Sequence, residues 1–170
     1  VKAIGSLELN FDGFYFSIER DNYELLTFCQ TLAKDVLDVN SEIQSSNPNA
    51  KGAAVYTCEF NNAIGAKLGL TYRDEEGSVH LNGDVKSLLP KSDCCKRAFM
   101  QGLLLAAGSV VIPVVDSDVG ENTSGARYHT EIRFSDTDFA RAVKDYYSEI
   151  PFRLAMRKNF AILYVKDSES

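Results

Sequence analysis

The sequence is poor in the residues that carry most covalent chemistry. It has two histidines, His80 and His129, and four cysteines, Cys29, Cys58, Cys94 and Cys95. No Ser-His-Asp set, phosphate-cradling glycine loop or HExxH run can be assembled from it. A lone histidine on a strand is more often a surface or hydrogen-bonded residue than a base or a metal ligand. The cysteines are too few and too irregular for a secreted disulfide scaffold, and no second pair completes a zinc spacing. They read as reduced thiols, and the Cys94-Cys95 pair reads as the buried start of a helix. Long apolar runs are also missing. The longest, Gly102 to Val115, contains Pro113 and is too short to span a bilayer. No targeting pattern, membrane partner, metal or cofactor is expected.

What remains suits one globular domain. The chain has 170 residues, 45% hydrophobic and 25% charged, enough for one sizeable core. Its net charge of −6 is uneven: residues 1–93 hold 8 basic and 14 acidic side chains, and residues 94–170 hold 10 of each.

Cys94 to Ala107 reads as a helix, with Phe99, Leu103 and Ala106 at helical spacing. Gly102, Ala106 and Ala107 keep its apolar face small, so another helix backbone can approach. Gly108 is expected to close the helix with a positive φ, and Ser109 to Ile112 has β-branched strand character. Earlier in the chain, Ile4 to Asn10 and Phe14 to Glu19 flank an Asp12-Gly13 turn and read as a hairpin. Asp21-Asn22 offers an N-cap to an amphipathic helix, Tyr23 to Leu37, with Leu25, Leu26, Cys29, Leu32, Ala33 and Val36 in one stripe. Ser41 to Ser46 and Ala53 to Phe60 read as strands, followed by a short helix stopped at Gly69. Thr71 to Lys91 is polar and reads as a linker. Asp116 to Ala126 reads as a mobile loop, Arg127 to Phe134 as a strand, and Thr137 to Glu149 as a helix. Phe152 to Arg157 and Asn159 to Lys166 read as a closing hairpin.

The two halves repeat. Gly5-Ser6-Leu7 matches Gly108-Ser109-Val110, and Phe16 to Arg20 matches Thr130 to Phe134. Each is followed by a helix and two strands. The unit is αββαββ, used twice: repeat one about 1–70, linker about 71–91, repeat two about 92–166. The first copy lacks its opening helix. A helix of about fourteen residues is therefore expected before Val1, packed against Gly102 and Ala106, or a second chain against that face.

A helix ending in Gly-Ser within such a repeat resembles the LAGLIDADG homing-endonuclease fold, with the motif on Met100 to Gly108. The run CCKRAF, then GLLLAAGSV, Pro113 and Tyr128 to Ile132, resembles the WhiA family. The resemblance implies an α+β fold: two pseudo-twofold αββαββ repeats, helices packed on one face of antiparallel sheets. It also implies a helix-turn-helix beyond Ser170, a role in transcriptional control of sporulation and cell division, and a cytoplasmic, nucleoid-associated location in Gram-positive bacteria.

The chemistry differs from the endonucleases. Cleavage needs an acid just before the closing glycine of each motif, to hold divalent metal with oxygen ligands. Here those positions hold Ile4 and Ala107, and Lys2 and Leu105 stand at the other acidic position. No catalytic residue is assigned. Strand alternation places Leu7, Leu9, Phe16, Ile18, Tyr128, Thr130 and Ile132 under helices. The open face then carries Glu8, Asn10, Tyr15, Ser17 and Glu19 in copy one, and His129, Glu131, Arg133, Arg153 and Arg157 in copy two. Arg133, Arg153, Arg157 and the turn residue Lys158 are the candidates for contact with DNA phosphates. Two readings follow: a non-catalytic domain of a DNA-binding regulator that reads duplex DNA mainly through the helix-turn-helix, or a scaffold whose sheet face binds a protein partner.

Overall fold

The computed structural model describes residues 6–10, 13–46, 48, 52, 54–111 and 129–166, with backbone alone at 6–10, 13, 14 and 46. The chain divides into two compact units, Val1–Leu88 and Leu89–Ser170.

In the first unit, β1 (Ser6–Asn10) and β2 (Gly13–Arg20) form the expected hairpin. Its turn residues, Phe11 and Asp12, lie outside the described residues. Helix α1 (Tyr23–Leu37) starts at Asn22, whose side chain accepts a hydrogen bond from the Leu25 amide at 2.9 Å. This satisfies one of the orphan donors of the first turn. Asp38 ends the helix in the left-handed region, φ 48°. Strands β3 (Ser41–Ser46) and β4 (Val55–Phe60) complete a sheet in the order β1-β2-β4-β3. Helix α1 packs on β2, β3 and β4. Leu26, Cys29 and Ala33 meet a core containing Phe16, Ile18, Cys58 and Phe60, all buried. Val36, expected in that stripe, is 72% exposed; Val39, just past the helix, is buried instead, because the left-handed cap at Asp38 turns the chain back inward.

Helix α2 (Ala63–Lys67) is the short helix expected, and Gly69 follows at φ 70°. The stretch expected as a linker has its own order. Strands β5 (Thr71–Arg73) and β6 (Val79–Leu81) pair, and a 3-10 turn covers Val85–Leu88. The hairpin is held by polar side chains: Asp74 accepts from the Glu76 and Ser78 amides at 3.0 and 2.8 Å and meets His80 at 2.7 Å. Tyr72 stacks on His80.

The second unit opens with α3 (Asp93–Ala107), whose last turn runs into β7 (Gly108–Val111). Gly108 sits at φ −80°, ψ 149°, so the expected positive φ is absent. The glycine serves close approach instead: a β-carbon there would lie 2.5 Å from the Leu104 carbonyl oxygen. Strand β8 (His129–Phe134) leads to α4 (Thr137–Tyr146), capped by Asp136, which accepts from the Phe139 amide at 2.6 Å. The helix ends three residues before the expected Glu149. Tyr147 leaves the helix and buries its ring, and Ile150 precedes Pro151, which disfavours helical backbone there. Strands β9 (Arg153–Arg157) and β10 (Phe160–Lys166) form the closing hairpin. Arg157 pairs with Phe160 across a two-residue turn in which Lys158 has φ 52°. The sheet order is β7-β8-β10-β9, the order of the first unit repeated. Ile132, Phe134, Ala140, Val143, Phe152, Ala161 and Leu163 form its core. The loop read at 116–126 and Tyr128 lie outside the described residues. Among those described, no helix is long and apolar enough to cross a membrane.

The start of α3 is tied to the end of α4. Tyr146 donates its hydroxyl proton to the Pro90 carbonyl, and Tyr147 donates to the Lys96 carbonyl at 2.6 Å. Lys96 pairs with Glu149 at 2.8 Å and lies over both tyrosine rings. The covered residue of this turn is therefore Lys96. Cys94 and Cys95, expected to be buried, are exposed.

Candidate nucleic-acid interface

Helix α4 covers one face of the second sheet, where Ile132, Phe134, Ala161 and Leu163 are buried. Alternation sends their neighbours to the other face. In the ladder, Arg133 pairs with Ile162, which pairs with Ala155, and Glu131 pairs with Tyr164, which pairs with Arg153. Arg157 lies two residues beyond Ala155 and so shares its face. Arg133, Arg153 and Arg157 therefore stand together on one side, and all are exposed, as is Lys158 in the adjoining turn. None of the four ion-pairs with an acid among the described residues. The Arg133 guanidinium lies 5.4 Å from the Phe160 ring centre, a cation–π contact that orients its fork. Arg153 and Arg157 are separated by about 13 Å of strand.

Alternation along β10 also brings in residues that sequence reasoning passed over. Phe160, Ile162, Tyr164 and Lys166 share this face, and Lys166 lies 5.6 Å over the Tyr164 ring. Ile162 is buried even here, in keeping with long side chains such as Arg133 laying apolar stems across a sheet. Among the described residues, the one acid on the face, Glu131, is half-buried and meets His129 at 3.3 Å.

The corresponding face of the first unit has the opposite charge. Ile18 pairs with Cys58 and Cys58 with Ile43, as Ile132 pairs with Leu163 and Leu163 with Leu154. From that match Glu19 occupies the place of Arg133, and Glu42 that of Arg153. Glu19, Glu42 and Glu59 are exposed, and Glu42 sits directly opposite Glu59 in the ladder, where like charges repel. Ser17, expected on view, is buried, and Tyr15 is half-buried. The side chains of Leu7, Glu8, Leu9 and Asn10 lie outside what is described.

At the end of the motif helix, Ala107 is the last residue of α3, and its methyl group offers no oxygen to a metal. Leu105 is 56% exposed and equally unable to ligate. Ile4 and Lys2, the counterparts in the first copy, lie outside the described residues. Gly102 and Ala106 are half-buried.

Residues 96–170 match the family model described as the WhiA LAGLIDADG-like domain. A probable cell division protein WhiA from Lachnoclostridium phytofermentans is 30% identical over 145 residues, 81% of this chain and 42% of that protein. Over these residues the chain is similar to the WhiA family. It spans less than half of that WhiA relative's length. The fold agrees: the N-terminal LAGLIDADG domain of DUF199/WhiA superposes with a TM-score of 0.54 at 17% identity, over 98% of this chain and 70% of that one. I-DmoI, solved in complex with DNA and Mn, superposes at 0.51 and 13% identity, over 94% of this chain and 80% of that one. The fold of this chain is therefore that of the LAGLIDADG proteins, with mixed helices and antiparallel sheets.

Proposed function

We propose that this chain is the non-catalytic LAGLIDADG-like domain of a WhiA-type, DNA-binding transcription regulator of sporulation and cell division. In this reading it works in the cytoplasm at the nucleoid, and a helix-turn-helix beyond Ser170 reads the duplex. The observation that carries it is the set of exposed cations on the second sheet and its turn, Arg133, Arg153, Arg157 and Lys158, which have no ion-pair partner among the described residues. Phosphate contact is the main source of sequence-independent affinity. I-DmoI, solved in complex with DNA and Mn, shares the fold and supports a nucleic-acid role for it; Ala107 argues against the metal chemistry.

A salt series of duplex binding tests this, with the chain measured beside the full-length protein. Weak binding with a steep salt slope is expected. Arg133→Ala, Arg153→Ala or Arg157→Ala should each flatten the slope by about one unit, uniformly across sequences. Binding that ignores salt, tight sequence-specific binding by this chain alone, or magnesium-dependent nicking abolished by mutating this chain would overturn it.

The second reading, a scaffold that binds a protein partner, is favoured by one observation. The face of the first unit carries Glu42 opposite Glu59, with Glu19 beside them. Such a face repels phosphate and suits a basic partner.

A further inference from the structure

The exposed cysteine pair at the start of α3 has no part in the reading above. The Cys94 and Cys95 sulfurs are 3.9 Å apart, and the Ser92 hydroxyl lies 3.4 Å from the Cys94 sulfur. Both thiols are open to solvent, at the second and third positions of a fifteen-residue helix. The amides of a first turn lack carbonyl partners within the helix and favour negative charge beside them. Cys29 and Cys58 are the opposite case: both are buried, and burial pushes their thiols up.

We propose that Cys94 is a thiol-exchange site that takes up one low-molecular-weight thiol from a small disulfide. The Cys94 thiolate attacks one sulfur of RSSR. The Cys94–S–S–R bond forms as the RS–SR bond breaks, and RS⁻ leaves and takes up the proton that Cys94 gave to solvent. The disulfide RSSR is the oxidant, and excess RSH reverses the step. The hydrogen bond from Ser92, then that from Cys95, holds the Cys94 thiol below its ordinary range, which raises the fraction of attacking thiolate.

Cys95 would be expected to displace RSH and close a disulfide with its neighbour, but the fold opposes that. Adjacent residues have Cα atoms about 3.8 Å apart, below the roughly 4.4–6.8 Å that a disulfide spans, so bonding these two sulfurs means distorting the first turn of α3. That turn is pinned: the Lys96 amide donates to the Ser92 carbonyl at 2.8 Å, and the Lys96 carbonyl accepts from Tyr147. The mixed disulfide therefore persists.

The test incubates the native chain with oxidised glutathione, followed by intact mass and peptide mapping. One adduct per chain is expected, on Cys94. It should persist in Cys95→Ser, vanish in Cys94→Ser and form several-fold more slowly in Ser92→Ala. The rate should rise at lower pH than for an unstructured cysteine peptide. Four outcomes would overturn the proposal: modification of Cys29 or Cys58 first, equal uptake at Cys95 in Cys94→Ser, loss of two thiols without an adduct, or no adduct where the control peptide reacts.

Discussion

A β-carbon on Gly108 would lie 2.5 Å from the Leu104 carbonyl oxygen and 2.7 Å from its Cα. Both are backbone atoms, so no rotamer change can make room. Gly108→Ala should therefore cost about 1–3 kcal/mol, the range for overpacking a tight contact, read as a lower denaturant midpoint with an unchanged m-value. A substitution within a few tenths of neutral would show that the helix end can move. Tyr147 makes a second prediction. Its ring is buried, and burial, then the neighbouring Tyr146 and Glu149, pushes its hydroxyl up to about 12. In the unfolded chain a tyrosine titrates near 10. The raised value means that the contribution to stability is complete below pH ~10 and is lost as pH rises from there towards ~12. Denaturant midpoints across that window should fall. Tyr147→Phe should remove the effect.

At the scale of elements, the β9–β10 hairpin combines two demands in one residue. Lys158 has φ 52°, a conformation costing a residue with a β-carbon about 1–2 kcal/mol, and it adds charge beside Arg157. Lys158→Gly should stabilise the unit by about 1 kcal/mol once glycine's extra chain entropy is set against the relief. It should also flatten the salt slope of duplex binding by about one unit. A gain in stability with no change in slope would remove Lys158 from the interface. The hairpin itself was legible in the sequence, because Arg-Lys-Asn interrupts two alternating runs. So were α1 and α4, because Asn22 and Asp136 are caps placed just before an apolar stripe. The β5–β6 hairpin was not. Strands of three residues are too short to show alternation, and what holds them is Asp74 and His80, side chains that read as solvated polar sequence until they are seen 2.7 Å apart.

For the whole molecule, the repeat was legible because small matches, Gly-Ser and the Phe16–Arg20 strand, fall at the same place in each copy. The ladders agree with the match of these strands: Phe16 pairs with Leu7 and Phe60 as Thr130 pairs with Val110 and Val165. The last strands match one residue away from the sequence alignment, Cys58 with Leu163. The charge asymmetry was also visible, in composition. The match of Phe16–Arg20 to Thr130–Phe134 already set Glu19 against Arg133. What the sequence hid was Glu42 against Arg153, because placing β3 and β9 needs their register, which composition does not contain. Burial at helix starts was hidden too. Cys95 lies on the extension of the Phe99–Leu103 stripe, yet Tyr146 and Tyr147, at the end of α4 and just past it, cover Lys96, and packing partners from a distant segment outweigh periodicity at a helix end.

The Tyr147–Lys96 hydrogen bond also bears on how the second unit assembles in time. Its partners are 51 positions apart, whereas Arg157 and Phe160 meet across two residues. Closing a short loop loses little chain entropy and is fast, so the β9–β10 hairpin suits an early place in the folding order. The tyrosine bond suits a late one, made after the rate-limiting barrier. The two substitutions should then act on opposite arms of the chevron. Lys158→Gly should speed folding. Tyr147→Phe, at about 1 kcal/mol for the lost bond, should leave folding unchanged and speed unfolding about fivefold.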